Sequence, residues 1–502
     1  MRSGACGASV AAMALALASA CGPARAPAGG RGVVWRYEVA VVERGRDGER
    51  ELAVEAWLPP GSLPRLRVRD AALPFVRDVA IERPGGWRAV AGRGGGLDAP
   101  ECARGCHLRY RFLLRRAAEV LADAEAARAW GEVVEASPSL WLLHPERGPE
   151  GARYRFHVAS AAAFVTGVFP APGRDTYEAD ATDIGVAPYA AFGPLRVHLL
   201  EPVAGAAIEL AVAPGAYAVG DAALAAWVTR SARTMARFFG CFPLERTAII
   251  VVPTEGDDVR RGITMGDGGA SVLLEVGTGA GPLALAGDWV LPHEMAHLAI
   301  PSVPLRHHWV EEGLAVYFEP IARARAGDLA PEEVWRRFAR GMPSGAPAPG
   351  DRGLDGSSSW TRTYWGGASF CLLADVEMRR RAGVHRGLDE ALRGVLAAGG
   401  NVARVWDLDR LLGTADAAVG VPVLSRLHDL AGGSPWTIDL PGLFADLGVE
   451  VDAAGEVRFV EDAPLAAIRR AITERAREPA EAPAACGLRS PATALARDTV
   501  AP

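Results

Sequence analysis

The sequence predicts a multidomain chain in which an N-terminal all-β domain is followed by an α+β, mostly helical domain. Two patterns predict this. Apolar and polar residues alternate between residues 33 and 213, and from Asp221 onward apolar residues recur with a helical period of about 3.6. The 502 residues are 50% hydrophobic, which is enough for several packed cores. A formal net charge of −6 argues against a strongly basic nucleic-acid-binding protein.

The first segment, residues 1–21, is predicted to be an export signal. Arg2 precedes an apolar run from Val10 to Ala18, which is too short to span a bilayer. Ala18 to Ala20 fits a signal-peptidase site, whereas Leu17 to Cys21 resembles a bacterial lipobox that would carry a lipid on Cys21. We therefore expect an exported protein. It is either a cell-envelope lipoprotein whose only membrane contact is that lipid, or a secreted protein.

Residues 22–32 are rich in Pro, Gly and Ala and are predicted to be a linker. The β domain, residues 33–213, follows. Its strands are indicated by apolar residues at every second position, such as Trp35, Tyr37, Val39, Leu52, Val54, Tyr110, Phe112, Tyr154, Phe156, Leu195, Val197, Ile208 and Leu210.

Cysteines are expected to form disulfides if the chain is exported. Cys102 and Cys106 lie close together in one loop, so we expect a short structural disulfide between them. The other three cysteines of the mature part, Cys241, Cys371 and Cys486, are predicted to be two buried thiols and one tail thiol. Their pairing is not specified by the sequence.

Helical periodicity marks the second domain, residues 214–430. Leu224, Val228, Met235 and Phe238 form one stripe, which Gly240 ends. Short buried strands are predicted at 247–252 and 271–276, and later helices near 289–299, 309–323, 331–341, 364–382 and 387–397. Residues 431–478 are predicted to be a small C-terminal region with a helix from Pro464, and residues 479–502 a disordered tail.

Residues His293 to His297 form an HExxH motif. On a helix, residues four apart share a face, so the imidazoles of His293 and His297 can bind one metal ion. Glu294 is placed to take a proton from a water molecule that the metal activates. Pro292 suits a first turn and Asp288 is a candidate N-cap, so the motif is expected on a helix. The alternative is a surface helix that carries two histidines.

A third protein ligand is needed to complete a catalytic zinc site. Glu312 lies 15 positions after His297 and is our choice, with Glu311 as the alternative. These two side chains are about 100° apart around a helix, so only one of them can point at the histidines. The alternative for both is a solvated acidic helix start that the helix dipole stabilises, which the neighbouring HExxH motif disfavours.

These motifs resemble those of the gluzincin zinc metallopeptidases, whose second helix carries a Glu-Gly-x-Ala signature, here residues 312–315. The strongest likeness is to the glycyl aminopeptidase family and its bacterial relatives, followed by the leukotriene-hydrolase and aminopeptidase family. The likeness extends over most of residues 33–475, and its sharp motifs lie between 262 and 396. It implies a thermolysin-like catalytic domain with one zinc ion per chain, held by His293, His297 and Glu312.

A third motif, Thr363 to Ala368, resembles the family's Tyr-x-Lys-Gly helix, with Gly366 in place of the Lys. The resemblance implies that Tyr364 donates a hydrogen bond to the oxyanion of the transition state. The alternative is a core tyrosine on an amphipathic helix. Leu388 to Leu392 is similar to a further family stretch and is expected to be structural.

Residues 262–271 lie where these families place a Gly-rich loop and a substrate-binding edge strand. Glycines there would let a substrate backbone approach closely. The related aminopeptidases place a Glu in this segment to hold the substrate's free amine, and this sequence has none. Asp267 is a candidate substitute, although it is equally explained as a turn-forming Asp before Gly.

Four polar residues near the motifs have open roles. His307 and His308 are candidate stray metal ligands, or else surface or substrate-contacting residues. Arg306 and Arg362 are candidates for binding a substrate carboxylate, or else solvated side chains.

Together the motifs predict an exported zinc metallopeptidase that acts on a peptide or protein. Glu294 would activate water, and Tyr364 would hold the oxyanion. Two alternatives stay open: a catalytically inactive binding lipoprotein with a peptidase fold, and a zinc hydrolase of a non-peptide substrate. The sequence leaves the oligomeric state open.

Overall fold

The computed structural model describes residues 32–44, 49–61, 65–90, 92–93, 96–475 and 483–487. The predicted export signal, the lipid-attachment residue Cys21 and the linker up to residue 31 lie outside the described residues. Among the residues described, every helix is too short or too polar to cross a bilayer.

The first part of the described chain is a β domain with two short helices, α1 (Leu114–Leu121) and α2 (Pro138–Trp141). Its strands are β1 (Val34–Arg44), β2 (Glu49–Leu58), β3 (Arg65–Arg67), β4 (Val76–Arg83), β5 (Gly86–Ala89), β6 (Gly92–Arg93), β7 (Gly96–Asp98), β8 (Cys106–Phe112), β9 (Ala127–Trp130), β10 (Val133–Ala136), β11 (His144–Pro145), β12 (Arg153–Ala159), β13 (Ala163–Thr166), β14 (Thr176–Asp180) and β15 (Ala190–Gly193).

Three sheets organise this domain. The largest has the strand order β14-β12-β1-β2-β8-β4-β5, and the two smaller sheets have the orders β13-β15-β10-β9 and β11-β3-β7-β6. The alternating residues Trp35, Tyr37 and Val39 of β1 are buried as predicted, because their side chains point to one face of the pleated strand. The Tyr110 hydroxyl donates to Trp141 O at 2.7 Å and accepts from Leu143 N at 2.8 Å, which ties the largest sheet to α2.

The second part of the chain contains a five-stranded sheet. Its strands are β16 (Arg196–Val203), β17 (Ala206–Val212), β18 (Arg246–Thr254), β19 (Val259–Met265) and β20 (Ser271–Gly277). Their order is β16-β17-β18-β20-β19, so β19 lies at one edge.

The predicted domain boundary at residue 213 is therefore wrong. Strand β17 pairs in parallel with β18, so β16 and β17 belong to the sheet of the second part, which begins near residue 196. Alternation at Ile208 and Leu210 shows that a strand is half-buried, but it carries no information about which sheet the strand joins.

The second part contains the helices that the sequence predicted and four that it did not, which begin at Pro282, Leu408, Leu424 and Leu440. The helices of this part are α3 (Asp221–Phe239), α4 (Pro282–Gly287), α5 (Val290–His297), α6 (His308–Ala326), α7 (Pro331–Gly341), α8 (Gly367–Ala382), α9 (Leu388–Ala397), α10 (Leu408–Val419), α11 (Leu424–Ala431), α12 (Leu440–Leu447) and α13 (Ala466–Thr473). A π-helical turn, Arg362–Gly366, leads into α8. A hairpin of β21 (Val449–Val451) and β22 (Val457–Phe459) lies between α12 and α13.

Helices α6 and α8 cross at two glycines. A Cβ atom on Gly313 would lie 2.5 Å from the carbonyl carbon of Gly367, and one on Gly367 would lie 2.5 Å from Trp309 O. Only residues without a side chain allow two helix backbones to come this close. The crossing brings the start of α8 next to the start of α6.

A buried polar network joins α6, α8 and α9. Arg379 donates to Asp375 at 2.9 Å and to Asp389 at 2.7 Å, while Arg325 also donates to Asp389, at 2.8 Å. The Tyr317 hydroxyl donates to Asp375 at 2.7 Å. Since each carboxylate is paired, the network fixes the three helices relative to one another. The structural role predicted for residues 388–392 is thus confirmed at Asp389.

The cysteines correct one prediction and confirm another. Cys102 is bonded to Cys106, as expected. Cys241 is bonded to Cys486, so these two are not the thiols that the sequence suggested, while Cys371 is a buried free thiol. Next to Cys486, the Ala485 amide donates to Ala204 O at 2.9 Å, so the disorder predicted for residues 479–502 does not hold for residues 483–487.

Candidate active site

Helix α5 carries the HExxH residues and starts at a buried carboxylate. Asp288 accepts hydrogen bonds from the amides of Val290 (2.9 Å) and Leu291 (3.0 Å) and from Trp227 Nε1 (3.2 Å). These bonds satisfy amides that the first turn of a helix leaves free. Burial raises the pKa of Asp288 to about 6, although the donors oppose this shift. The capping role predicted for Asp288 is confirmed.

Three side chains converge beside α5. His293 Nε2 lies 3.3 Å from His297 Nε2, and Glu312 Oε2 lies 3.4 Å and 3.6 Å from these two nitrogens. Glu312 Oε2 is buried and has no hydrogen-bond donor among the described residues. Three ligand atoms about 3.3 Å apart suit one ion that is about 2.0–2.1 Å from each, and two imidazoles with one carboxylate are a ligand set that zinc takes. The side chains therefore fit a zinc ion.

The two glutamates of α6 point in different directions. Glu311 accepts from the Val303 amide at 3.2 Å and lies 2.7 Å from His308 Nδ1, so its carboxylate is turned away from the histidines. Glu312 faces His293 and His297. Of the two alternatives, the geometry thus favours Glu312 as the third ligand.

His308 bridges both glutamates, a role that sequence reasoning missed. Its Nε2 lies 3.2 Å from Glu312 Oε1, the oxygen that does not face the metal position. Burial lowers the pKa of His308, but Glu311 and Glu312 outweigh burial and raise the pKa to about 10. A charged imidazole therefore holds Glu312 in place, so His308 is a partner of a candidate ligand and not a stray ligand.

Glu294 is held by the edge strand β19. Thr264 Oγ1 donates to Glu294 Oε2 at 2.7 Å and contacts Glu294 O at 2.9 Å. A Cβ atom on Gly262 would lie 2.4 Å from Glu294 Cγ. The group that approaches Gly262 closely is therefore the Glu294 side chain. The sequence analysis expected a substrate backbone there instead.

Tyr364 lies in the π-helical turn before α8 and packs on a candidate ligand. Its ring stacks on His293, with the ring centroids 6.2 Å apart and the planes 6° from parallel. Burial raises the pKa of Tyr364 well above its ordinary value, and the charges of Glu312 and Glu294 raise it further. The hydroxyl therefore stays protonated and remains a hydrogen-bond donor. π-helical turns are often found at functional sites.

Asp267 occupies the turn between β19 and β20 with φ 61, and its amide donates to Val402 O at 3.0 Å. Burial raises the pKa of its carboxyl to about 7, a hydrogen bond with Ser302 opposes the shift, and Asp183 and Glu311 add to it. These contacts favour the alternative that Asp267 is a turn-forming residue over the alternative that it holds a substrate amine.

Arg362 and His307 are both engaged away from the metal position. Arg362 Nε donates to Asp351 at 3.1 Å, and its Nη1 donates to Gly345 O at 2.7 Å, while its Nη2 is buried without a partner among the described residues. His307 Nδ1 lies 2.7 Å from Asp355, which also accepts from Trp309 at 2.7 Å. This carboxylate fixes the first turn of α6.

Comparison with solved structures identifies the fold. An aminopeptidase N family protein from Idiomarina loihiensis matches with a TM-score of 0.63 and 13% identity, over 83% of this chain and 79% of that chain. An M1 zinc metallopeptidase from Deinococcus radiodurans matches with a TM-score of 0.52 and 14% identity, over 82% of this chain and 96% of that chain. This chain shares the overall fold of these two structures.

The predicted order of a β domain and then a mostly helical domain is confirmed by these matches. At identities of 13% and 14% the likeness shows the fold alone, so the reaction must be argued from the site. No protein-family profile and no curated protein matches the sequence. The specific likeness to glycyl aminopeptidases stays a prediction.

Proposed function

We propose that this gluzincin-fold protein is a zinc-dependent peptidase that hydrolyses peptide bonds in a peptide or protein substrate. The observation that carries the proposal is the convergence of His293 Nε2, His297 Nε2 and Glu312 Oε2 within 3.3–3.6 Å, beside the carboxylate of Glu294. Zinc bound there would lower the pKa of a water molecule and polarise a substrate carbonyl.

Each remaining residue has one task in this proposal. Glu294, held by the Thr264 hydroxyl, takes the proton of the attacking water and passes it to the leaving amine. The Tyr364 hydroxyl, protonated because its pKa is raised, donates a hydrogen bond to the oxyanion. His308 keeps Glu312 oriented, as partners of metal ligands commonly do.

The first test is the metal content of the purified protein. We expect about one zinc per chain in the wild type and in Glu311→Ala, and loss of zinc in Glu312→Ala. Glu311→Ala is the matched control because the two substitutions remove the same group from neighbouring positions. A wild type that takes up no zinc would overturn the proposal and leave a binding protein with a peptidase fold.

The second test is turnover on a peptide library. Glu294→Gln should keep zinc and lose at least about a thousandfold in kcat, because it removes the proton acceptor but no ligand. Equal activity of the wild type and Glu294→Gln would contradict the mechanism. The same panel tests the alternative of an inactive binding protein, which would hold zinc and cleave nothing.

We also propose that the protein works outside the cytoplasm. Disulfides persist in oxidising compartments, and the structure contains Cys102–Cys106 and Cys241–Cys486. Lipid attachment is tested by labelling cells with a radioactive fatty acid, which should mark the wild type and not Cys21→Ser. Unlabelled wild-type protein in the culture medium would favour secretion instead.

A further inference from the structure

Two exposed tryptophans lie beside the proposed metal site. Trp289, just before α5, is 50% exposed, and Trp360, just before the π-helical turn, is 69% exposed. Both are high values for indole rings, which proteins ordinarily bury for the most part. Exposed apolar surface next to a candidate catalytic centre is surface that a bound substrate would cover.

The two indoles are the outer members of one row of rings. Trp289 contacts His293 with centroids 5.9 Å apart, His293 stacks on Tyr364, and Tyr364 contacts Trp360 at 6.0 Å. Trp360 also meets the His308 ring edge-to-face at 6.4 Å. The two inner rings are therefore those of His293, a candidate metal ligand, and Tyr364, the candidate oxyanion donor. A substrate held at the metal position would meet the indoles on its flanks.

The charged groups beside this row already have partners. Glu294 accepts from Thr264, and His308 is paired with Glu311 and Glu312. A charged substrate side chain would thus gain little from them, whereas a large apolar side chain would cover exposed indole surface and remove it from water.

We propose that Trp289 and Trp360 form apolar walls of the substrate-binding site and select peptide bonds flanked by aromatic or large aliphatic side chains. The proposal rests on the proposed peptidase function and names its substrate class. Neither indole binds the metal or moves a proton, so both act as specificity residues and the catalytic steps need neither.

The test compares peptides that differ at a single position. A randomised peptide library, read by mass spectrometry, first gives the residues on each side of the cleaved bonds. Pairs of quenched fluorescent peptides with Phe or Ser at the preferred position then give kcat/KM. We expect Phe to be favoured in the wild type, and Trp289→Ala and Trp360→Ala each to lower kcat/KM for the Phe peptide about tenfold or more while changing the Ser peptide less than about threefold.

Three controls accompany these variants. Trp57→Ala removes another exposed indole, 38% exposed on β2 of the N-terminal β domain, and should leave the ratio unchanged. Trp360→Phe keeps an aromatic wall and should restore most of the preference. Zinc content and melting temperature should match the wild type in every variant. An unchanged Phe-to-Ser ratio in both alanine variants would overturn the proposal.

Binding separates this inference from the proposed function. Fluorescence anisotropy with labelled Phe and Ser peptides is measured on Glu294→Gln, which does not turn over. If Glu294→Gln binds the Phe peptide more tightly than the Ser peptide, and the double variant Glu294→Gln/Trp360→Ala does not, the result supports the apolar walls. This conclusion holds even if no peptide is ever cleaved. Cleavage without any Phe preference would support the proposed peptidase function but contradict the proposed apolar walls. Equal binding of the Phe and Ser peptides would also overturn the inference.

Discussion

At the scale of single residues, the proposed general base depends on a neighbour without a side chain. Glu294 packs directly on Gly262 of β19, and Thr264 of the same strand donates to its carboxylate at 2.7 Å. One strand thus sets both the position and the orientation of Glu294. An error of about 1 Å in such a position can cost about a hundredfold in rate.

Gly262→Ala should therefore lower kcat about a hundredfold while zinc stays at one per chain, because Glu294 is displaced and no ligand is touched. Metal analysis and steady-state kinetics check this. Gly413→Ala is the control, since a Cβ atom at that helix position meets nothing within 4 Å. Unchanged kcat in Gly262→Ala would mean that Glu294 can move aside without loss.

Asp267 should make stability depend on pH. Burial raises its folded-state pKa from 3.8 to about 7, so the folded chain keeps a proton that the unfolded chain releases between about pH 4 and pH 7. The free energy of unfolding should then fall by about 4 kcal/mol as the pH rises through this window, and level off above it.

Asp267→Asn should flatten this profile, because Asn does not ionise and tolerates the positive φ of 61. Urea unfolding at several pH values measures the effect. A profile of Asp267→Asn that still parallels the wild type would assign the pH dependence to other groups.

Sequence spacing was enough to place His293 and His297 on one face, because helical geometry fixes which side chains share a face. It left Glu311 open as an alternative to Glu312, and only the structure shows which of the two carboxylates faces the histidines. Spacing was not enough for Thr264, which lies 30 residues before Glu294 and meets it only because β19 packs beside α5. His308 was noticed but misjudged, since the pairing with both glutamates depends on side-chain directions that a motif does not specify.

At the scale of elements, the site depends on how closely α6 and α8 cross. Gly313 follows the candidate ligand Glu312, and Gly367 comes three residues after Tyr364. The backbone contact between these glycines brings the ligand and the oxyanion donor together. The sequence predicted both helices within a few residues, but it could not show that their glycines touch, because a crossing is a tertiary feature.

Gly313→Ala should separate the two helices. Its Cβ atom would lie 2.5 Å from Gly367 backbone, which cannot move as a side chain can. We expect a loss of about 2 kcal/mol or more in the free energy of unfolding and a lower kcat, as Tyr364 moves away from the metal position. Thermal unfolding and kinetics test this, with Gly413→Ala, expected to be neutral or slightly stabilising, as the control. Wild-type stability in Gly313→Ala would contradict the tight crossing.

Tyr364→Phe isolates the hydroxyl without disturbing the crossing. The phenyl ring can still stack on His293, so zinc content and melting temperature should not change. The kcat should fall about 10²- to 10³-fold with little change in KM, because the lost hydrogen bond forms only in the transition state. A change confined to KM would assign Tyr364 to substrate binding instead.

At the scale of the whole molecule, two disulfides close loops of very different size. Cys102–Cys106 spans 4 positions and Cys241–Cys486 spans 245. By chain entropy the first should contribute about 2 kcal/mol and the second about 5 kcal/mol. The sequence predicted the short loop, because neighbours in the chain meet easily. It missed the long one, because nothing in the residues around Cys486 indicates what they pack against.

Cys486→Ser should therefore lower the melting temperature clearly more than Cys106→Ser does. The measurement is thermal unfolding of both variants beside the wild type, with Cys371→Ser as a control for removal of a buried thiol. The ranking would be reversed if residues 483–487 contributed little to the folded state.

The long disulfide also needs protection from a competing thiol. Cys371 lies between Cys241 and Cys486 in the sequence, so an unfolded chain offers Cys241 a wrong partner that is nearer than the right one. In the folded chain Cys371 is buried in α8, and burial raises the pKa of its thiol, which leaves little reactive thiolate. Packing of α8 therefore keeps the competing thiol away from Cys241, so the helical part of the folded chain protects the correct disulfide against exchange to a mispaired product.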